Sequence, residues 1–214
     1  MLVSILNVAD IVAPLAAIIF FIWKWRFLSS ELRLVFGFCL IQFACNTLAT
    51  VLSIFHTNNY IVYISNTFLS FLVLFYLFTK YLVPVKKPVA VLTISLFFFL
   101  TAILLYQGDG VSTYNSIGSA LASLLIVALC LYFFYSKLIN SSPEVSIPAT
   151  AIFWSVIGIF TYFAGSFFIF ITYKYMIANE VNTVGTLWRF HNLLLVICNM
   201  YIIYGVLCKS YRAI

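Results

Sequence analysis

Long apolar runs separated by short polar stretches make up almost all of this 214-residue chain. Seven runs are evident, at 4–23, 34–55, 60–79, 89–106, 114–135, 149–173 and 187–207. Lys24-Trp25-Arg26 through Arg33 closes the first, His56-Thr57-Asn58-Asn59 the second, and Pro84-Val85-Lys86-Lys87-Pro88 the third. Gln107-Gly108-Asp109-Gly110 follows the fourth, Asn140-Ser141-Ser142-Pro143-Glu144 the fifth, and Lys174 to Thr186 the sixth. A helix needs about 20 apolar residues to cross the hydrocarbon layer, and these runs are of that order. None shows the two-residue alternation of a barrel strand, and an unsatisfied backbone group in lipid costs several kcal/mol. The pattern therefore predicts an all-α fold, a single domain over 1–214 built as a seven-transmembrane-helix bundle.

Composition sharpens this. Hydrophobic residues make up 65% and charged residues 7% of the chain, against roughly 25% charged in soluble domains. Seven spans of about 21 residues leave about 67 positions for all loops and tails. That excludes a fused kinase, a nucleotide-binding or DNA-binding domain, or a periplasmic sensor module. The net charge of +6 does not point to nucleic acid, because the basic residues are spread among short loops. Lys24, Arg26, Arg33, Lys80, Lys86, Lys87, Lys137, Lys209 and Arg212 fall on one side, and only Lys174 and Arg189 on the other. Basic loops stay in the cytoplasm, so the amino terminus is expected outside and the carboxyl terminus inside. No Lys or Arg precedes the first run, which argues against a cleaved signal peptide. The fourth span, with Phe97, Phe98 and Phe99, is apolar all round and is expected to have the greatest lipid exposure.

Polar side chains within the spans carry the most information, because in hydrocarbon each must find a partner. Gln42, Asn46, Thr50 and Ser53 share one face of the second span. Asn66 and Ser70 mark the third, Asn115, Ser119 and Ser123 the fifth, Ser155, Tyr162 and Ser166 the sixth, and Asn192 and Asn199 the seventh. Two readings stand side by side: these faces line a polar interior, or they bond across helix contacts at about 0.6–2 kcal/mol each. Asp10 and Arg189 are both expected toward the outer side. Either they form a buried ion pair where the first and last helices meet, or each reaches the outer surface separately. Trp188, His191 and Asn192 flank Arg189. Together with Asn46, Asn66 and Asn199 they form the expected ligand-binding set.

Catalytic and cofactor chemistry finds little support. Cys39, Cys45, Cys130, Cys198 and Cys208 lie in or at the edge of apolar runs without CxxC spacing, as small packing residues do. His56 and His191 lack HxxxH or HExxH spacing, so no metal or haem is expected. A retinal Schiff base needs a lysine inside the seventh span, and none lies between Arg189 and Lys209. Intramembrane zinc hydrolases need more His and Asp than this chain has, and no GxSxG or paired carboxylates are present. No enzyme activity and no cofactor are expected.

The segment Phe153-Trp154-Ser155-Val156-Ile157-Gly158-Ile159-Phe160-Thr161-Tyr162-Phe163-Ala164-Gly165-Ser166 and the closing pattern Leu187-Trp188-Arg189-Phe190-His191-Asn192, Asn199 and Gly205-Val206-Leu207-Cys208-Lys209 resemble the last two spans of small uncharacterised bacterial seven-helix integral membrane proteins. The likeness is clearest over 149–209. It implies the architecture, a bacterial inner-membrane location and a role in sensing, with no ligand, and it draws attention to His191, Asn192 and Asn199. The leading expectation is a receptor-like membrane protein that binds a small or lipidic ligand in an outward-facing bundle. It would signal through a separate cytoplasmic partner, with 80–87 as a docking loop unless that loop serves only topology and anionic lipid. The alternative is a small-solute transporter with the three-plus-one-plus-three layout of the SWEET type. Span number and orientation agree with that type, but only Pro14 lies well inside a span, and 1–80 shows no clear repeat in 114–207. A structural or assembly subunit is the third expectation.

Overall fold

The computed structural model describes residues 8–83, 85–107, 114–140, 150–179 and 184–208. Positions 4–7 of the first predicted span, position 149 of the sixth, and Lys209 and Arg212 of the basic set lie outside them. The described residues form seven helices and no strand: α1 (Ala9–Trp23), α2 (Ser30–Ile54), α3 (Tyr60–Leu77), α4 (Lys87–Gln107), α5 (Ser116–Asn140), α6 (Ala151–Ala178) and α7 (Val184–Leu207). Six of them are long and apolar enough to cross a membrane. The exception is α1, apolar but with 15 residues, which at 1.5 Å per residue reaches about 22 Å.

Local chemistry sets the ends of these helices. Ser29 precedes α2 and its hydroxyl accepts from the Leu32 N–H at 3.5 Å, with Glu31 in the first turn, where a negative charge meets the positive end of the helix dipole. Asn115 does the same for α5, its Oδ1 accepting from the Gly118 N–H at 3.1 Å. Pro88 sits in the first turn of α4, where its missing N–H costs nothing. The far end of α2 is closed by a six-residue wrap: Thr57 N–H reaches Leu52 O at 3.0 Å and His56 N–H reaches Ser53 O at 3.1 Å. This geometry requires a left-handed residue, and His56 supplies it at φ 53°, where glycine is normally found. His56 is thus a helix terminator. His56→Gly is expected to raise stability by about 1 kcal/mol, measured by reversible unfolding in mixed micelles; unchanged or lower stability would remove this account.

At its far end α3 widens into a π-turn, Phe78–Leu82, with Val83 N–H bonded to Phe78 O at 2.8 Å. Hydropathy does not reveal that transition. Lys80 extends from it against Tyr76 and Tyr81.

Six helices form a closed ring in which α1 packs on α2, α2 on α3, α3 on α5, α5 on α6, α6 on α7, and α7 back on α1. Across the axis α2 touches α6, with the Phe38 and Phe163 rings 6.2 Å apart. The remaining helix, α4, lies outside the ring. It packs on α5 and sets the Phe97 ring against Phe68 and Phe71 of α3. Phe97 and Thr101, one turn apart, are its buried residues among those described, as its uniformly apolar sequence predicts.

Successive helices alternate in direction, so one end of the ring gathers Lys24, Arg33, Lys80, Lys86, Lys87 and Lys137. The half of the bundle next to this basic end is filled by Phe21, Phe38, Phe71, Phe78, Ile126, Phe133, Ile159 and Ile202, all essentially inaccessible. In lipid such residues stabilise by close packing rather than by leaving water. Cys39, Cys130 and Cys198 are free thiols buried in the same layer. The packing is closest between α6 and α7, where Gly158 and Gly205 let the backbones approach.

Candidate functional site

The other half of the ring is polar. Gln42 at the middle of α2 and Asn46 one turn later come from one side, and Tyr63, Asn66, Thr67 and Ser70 from one face of α3. Ser119 and Ser123 of α5, Tyr162 and Ser166 of α6, and Trp188, His191 and Asn192 of α7 complete the belt. All except Ser166 line a cavity of about 40 Å³, as do Asp10 of α1 and Tyr114 just before α5. Every ring helix contributes to the lining, and α4 contributes nothing among the described residues. The space suits water or a very small solute; drug-sized ligand pockets run to about 300–1,000 Å³.

One wall is a closed cycle of hydrogen bonds. Asn66 Nδ2 donates to Gln42 Oε1 at 3.2 Å, Gln42 Nε2 to Ser70 Oγ at 3.1 Å, and Ser70 Oγ to Asn66 Oδ1 at 3.2 Å. Each of the three residues donates once and accepts once, so the cycle ties α2 to α3 and fixes both amides. Next to it, Thr67 Oγ1 lies 3.2 Å from Ser119 Oγ, which also accepts from the Tyr114 hydroxyl at 3.2 Å. This joins α3 to α5.

On the opposite wall His191 is held by two hydroxyls of α6. Its Nε2 lies 3.2 Å from Tyr162 Oη and its Nδ1 3.0 Å from Ser166 Oγ. With both ring nitrogens engaged, one serves as donor and the other as acceptor, and a metal would have to displace one of these bonds. The His191 ring also lies 5.2 Å from those of Tyr162, Phe170 and Trp188. Trp188 in turn meets Tyr63 edge-on at 5.5 Å and Tyr114 at 5.8 Å.

Asn46 has a specific task. Pro14 lies inside α1 and lacks the N–H that would bond to the carbonyl four residues back, which belongs to Asp10. Asn46 Nδ2 donates to that carbonyl at 3.0 Å. The side chain thus supplies the donor that Pro14 removes, and it holds α1 against α2 at the cavity.

The structure brings Asp10, Asn46, Asn66, Trp188, His191 and Asn192 onto one cavity. Asn199 lies elsewhere. Two turns further along α7, its Nδ2 donates to Leu195 O at 2.8 Å and its Oδ1 accepts from Cys39 Sγ at 3.7 Å, as a helix-packing residue would. The expected Asp10–Arg189 ion pair is not formed. Asp10 Oδ1 is buried with no hydrogen-bond partner among the described residues, while the Arg189 guanidinium lies back along α7 beside Gly185. The reason is angular. At 100° per residue Arg189 is turned well away from the Trp188–Asn192 face, so it passes the cavity by.

Tyr63, Thr67, Tyr114 and Ser119 are members the expected binding set omits. The repeat Tyr63, Asn66, Thr67, Ser70 has helical spacing, and a polar face drawn to include tyrosine would have found it. Comparison with protein-family models, with curated proteins and with solved structures finds no match to this chain.

Proposed function

We propose that this chain is a receptor-like multi-pass membrane protein of seven spans, amino terminus outside, that binds a small polar solute in the outer half of its ring and signals to a separate cytoplasmic partner. The cavity lined by side chains from all six ring helices carries this reading. A ligand there touches every helix of the ring at once, so occupancy can bias how the helices pack further down. The polar lining and small volume favour a small hydrophilic solute over a lipid. The basic end, where Lys80 of the π-turn and Lys86 and Lys87 at the start of α4 gather, is the surface on which a cytoplasmic partner would read such a shift.

A transporter is the second reading, favoured by one feature of the ring. The strips α1–α2–α3 and α5–α6–α7 follow the same neighbour order and alternate in direction alike, and α4 stands apart as a linker would. Against it, the aromatic layer around Phe38 and Phe71 closes the axis on the basic side. The chain purified in lipid nanodiscs should show a rise in Tm with at least one member of a panel of small cationic, anionic and neutral polar solutes. Reconstituted in liposomes, it should not accumulate that solute. Uptake that saturates and depends on the protein would select the transporter; no stabilisation by any solute would sink both readings.

A further inference from the structure

Asp10 is the one charged residue among the described side chains lining the cavity. Its Oδ1 is buried and accepts no hydrogen bond from any described residue. A carboxylate oxygen withheld from water without a donor or counter-charge is costly, so the position gains stability from any cation that reaches it. No protein cation does so among the described residues. Arg189 is turned toward Gly185, Lys174 is exposed, and the other described lysines and arginines lie toward the opposite end of the bundle. His191 already has both nitrogens bonded to α6 hydroxyls.

The remaining lining narrows the kind of cation. Tyr63, Tyr114, Tyr162, Phe170 and Trp188 put aromatic rings around the same space, and ring faces attract organic ammonium groups. A bare divalent ion favours several anionic oxygens, and Asp10 is the one carboxylate among the described lining residues, while the amide oxygens of Gln42 and Asn66 each spend a lone pair in their own cycle. The volume of about 40 Å³ limits the guest to a few heavy atoms. We infer that the cavity binds a small protonated amine, of ammonium or methylammonium size, with the Asp10 carboxylate as its counter-ion and the Trp188 and Tyr63 rings beside it. This rests on the solute-binding reading above and gives that solute its charge and size.

The test is calorimetric titration of the full chain in nanodiscs at constant ionic strength, with N-methylglucamine chloride as the filler salt. The probes are methylammonium, tetramethylammonium, sodium and neutral formamide. Methylammonium should bind saturably and raise Tm, while tetramethylammonium, too large for the space, should do neither. Asp10→Asn should weaken methylammonium binding by about tenfold or more, since a hydrogen bond to a charged group is lost. Trp188→Leu should weaken it several-fold through loss of the ring face, and this variant carries the test if Asp10→Asn fails to fold. Sodium binding in preference to methylammonium would overturn the proposal. So would formamide binding that Asp10→Asn leaves unchanged, although the cavity would then remain a solute site. If none of the four probes binds, the cation proposal falls, and the solute-binding reading falls with it if the wider panel also fails.

Discussion

Gly158→Leu is expected to prevent α6 from seating on α7, and with it to abolish folding of the bundle. A Cβ at position 158 would stand 2.6 Å from the Cys198 carbonyl oxygen and 3.0 Å from Tyr201 Cβ. The first of these is backbone and cannot rotate away, so the helices must separate. Overpacking that displaces backbone costs about 1–3 kcal/mol for small insertions and more for large ones, which places Gly158→Ala in that range and Gly158→Leu beyond it. The same approach recurs at the basic end of the pair, where a Cβ on Gly205 would meet the Ala151 carbonyl oxygen at 2.5 Å. Gly37 of α2 provides the control. Its Cβ would find only Val73 Cγ1, at 3.9 Å, an ordinary contact, so Gly37→Ala should be neutral or stabilising by up to about 1 kcal/mol through helix propensity. Unfolding in mixed micelles, followed by tryptophan fluorescence, separates Gly158→Ala from Gly37→Ala, and Gly158→Leu should show no cooperative transition at all. Equal shifts for Gly158→Ala and Gly37→Ala would show that close backbone approach does not hold α6 to α7.

That pairing matters to the site as well as to the fold, because Tyr162 and Ser166 hold His191 across it. Separating the helices by even one methyl group would stretch both bonds at the cavity wall. Gly158→Ala should therefore lose any solute response while its helix content is still intact.

Periodicity and hydropathy reach far in a chain like this one. Lipid imposes helices, and breaks such as His56-Thr57-Asn58-Asn59 are chemically unmistakable, so each predicted span corresponds to a helix; among the described residues that break separates α2 from α3, whereas Arg33, Lys87 and Lys174 lie within α2, α4 and α6, which run past their apolar cores. What lies around the helix axis is harder to read. Asp10 and Arg189 carry opposite charges and fall toward the same end, which makes a pair plausible, but an offset of 100° per residue decides whether two side chains meet. Asn199 shares a polar stripe with Asn192 yet bonds to Leu195 of its own helix and to Cys39 of α2, away from the cavity, because a stripe records direction and not depth. The tyrosines at 63 and 114 pass for apolar bulk in a hydropathy profile, although a phenol in a bundle supplies both a ring and a hydroxyl. The π-turn after Leu77 leaves no signal in composition at all.

The link between Pro14 and Asn46 shows how a feature half visible in the sequence gains its meaning from packing, and it makes the second strong prediction. A proline inside a helix frees the carbonyl four residues earlier, so Asp10 O is orphaned by residue type alone; only the fold shows that Asn46 Nδ2 comes within 3.0 Å to satisfy it. Asn46→Leu leaves that carbonyl unpaired in a half-buried, low-dielectric setting and is expected to cost about 1–2 kcal/mol. Pro14→Ala restores the N–H, and with it the ordinary helical bond to Asp10 O. In the Pro14→Ala background the same Asn46→Leu change should therefore cost less, by about 1 kcal/mol, and the double-mutant cycle should show that coupling in reversible micellar unfolding. Costs that simply add within about 0.5 kcal/mol would mean that Asn46 stabilises through something other than the freed carbonyl. A coupling of the expected sign would also bear on binding. Asn46 would then be shown to fix the first turns of α1, and so the place of the Asp10 carboxylate beside the cavity. In that case Asn46→Leu should weaken methylammonium binding more in the chain that keeps Pro14 than in the Pro14→Ala variant, where α1 holds its own geometry.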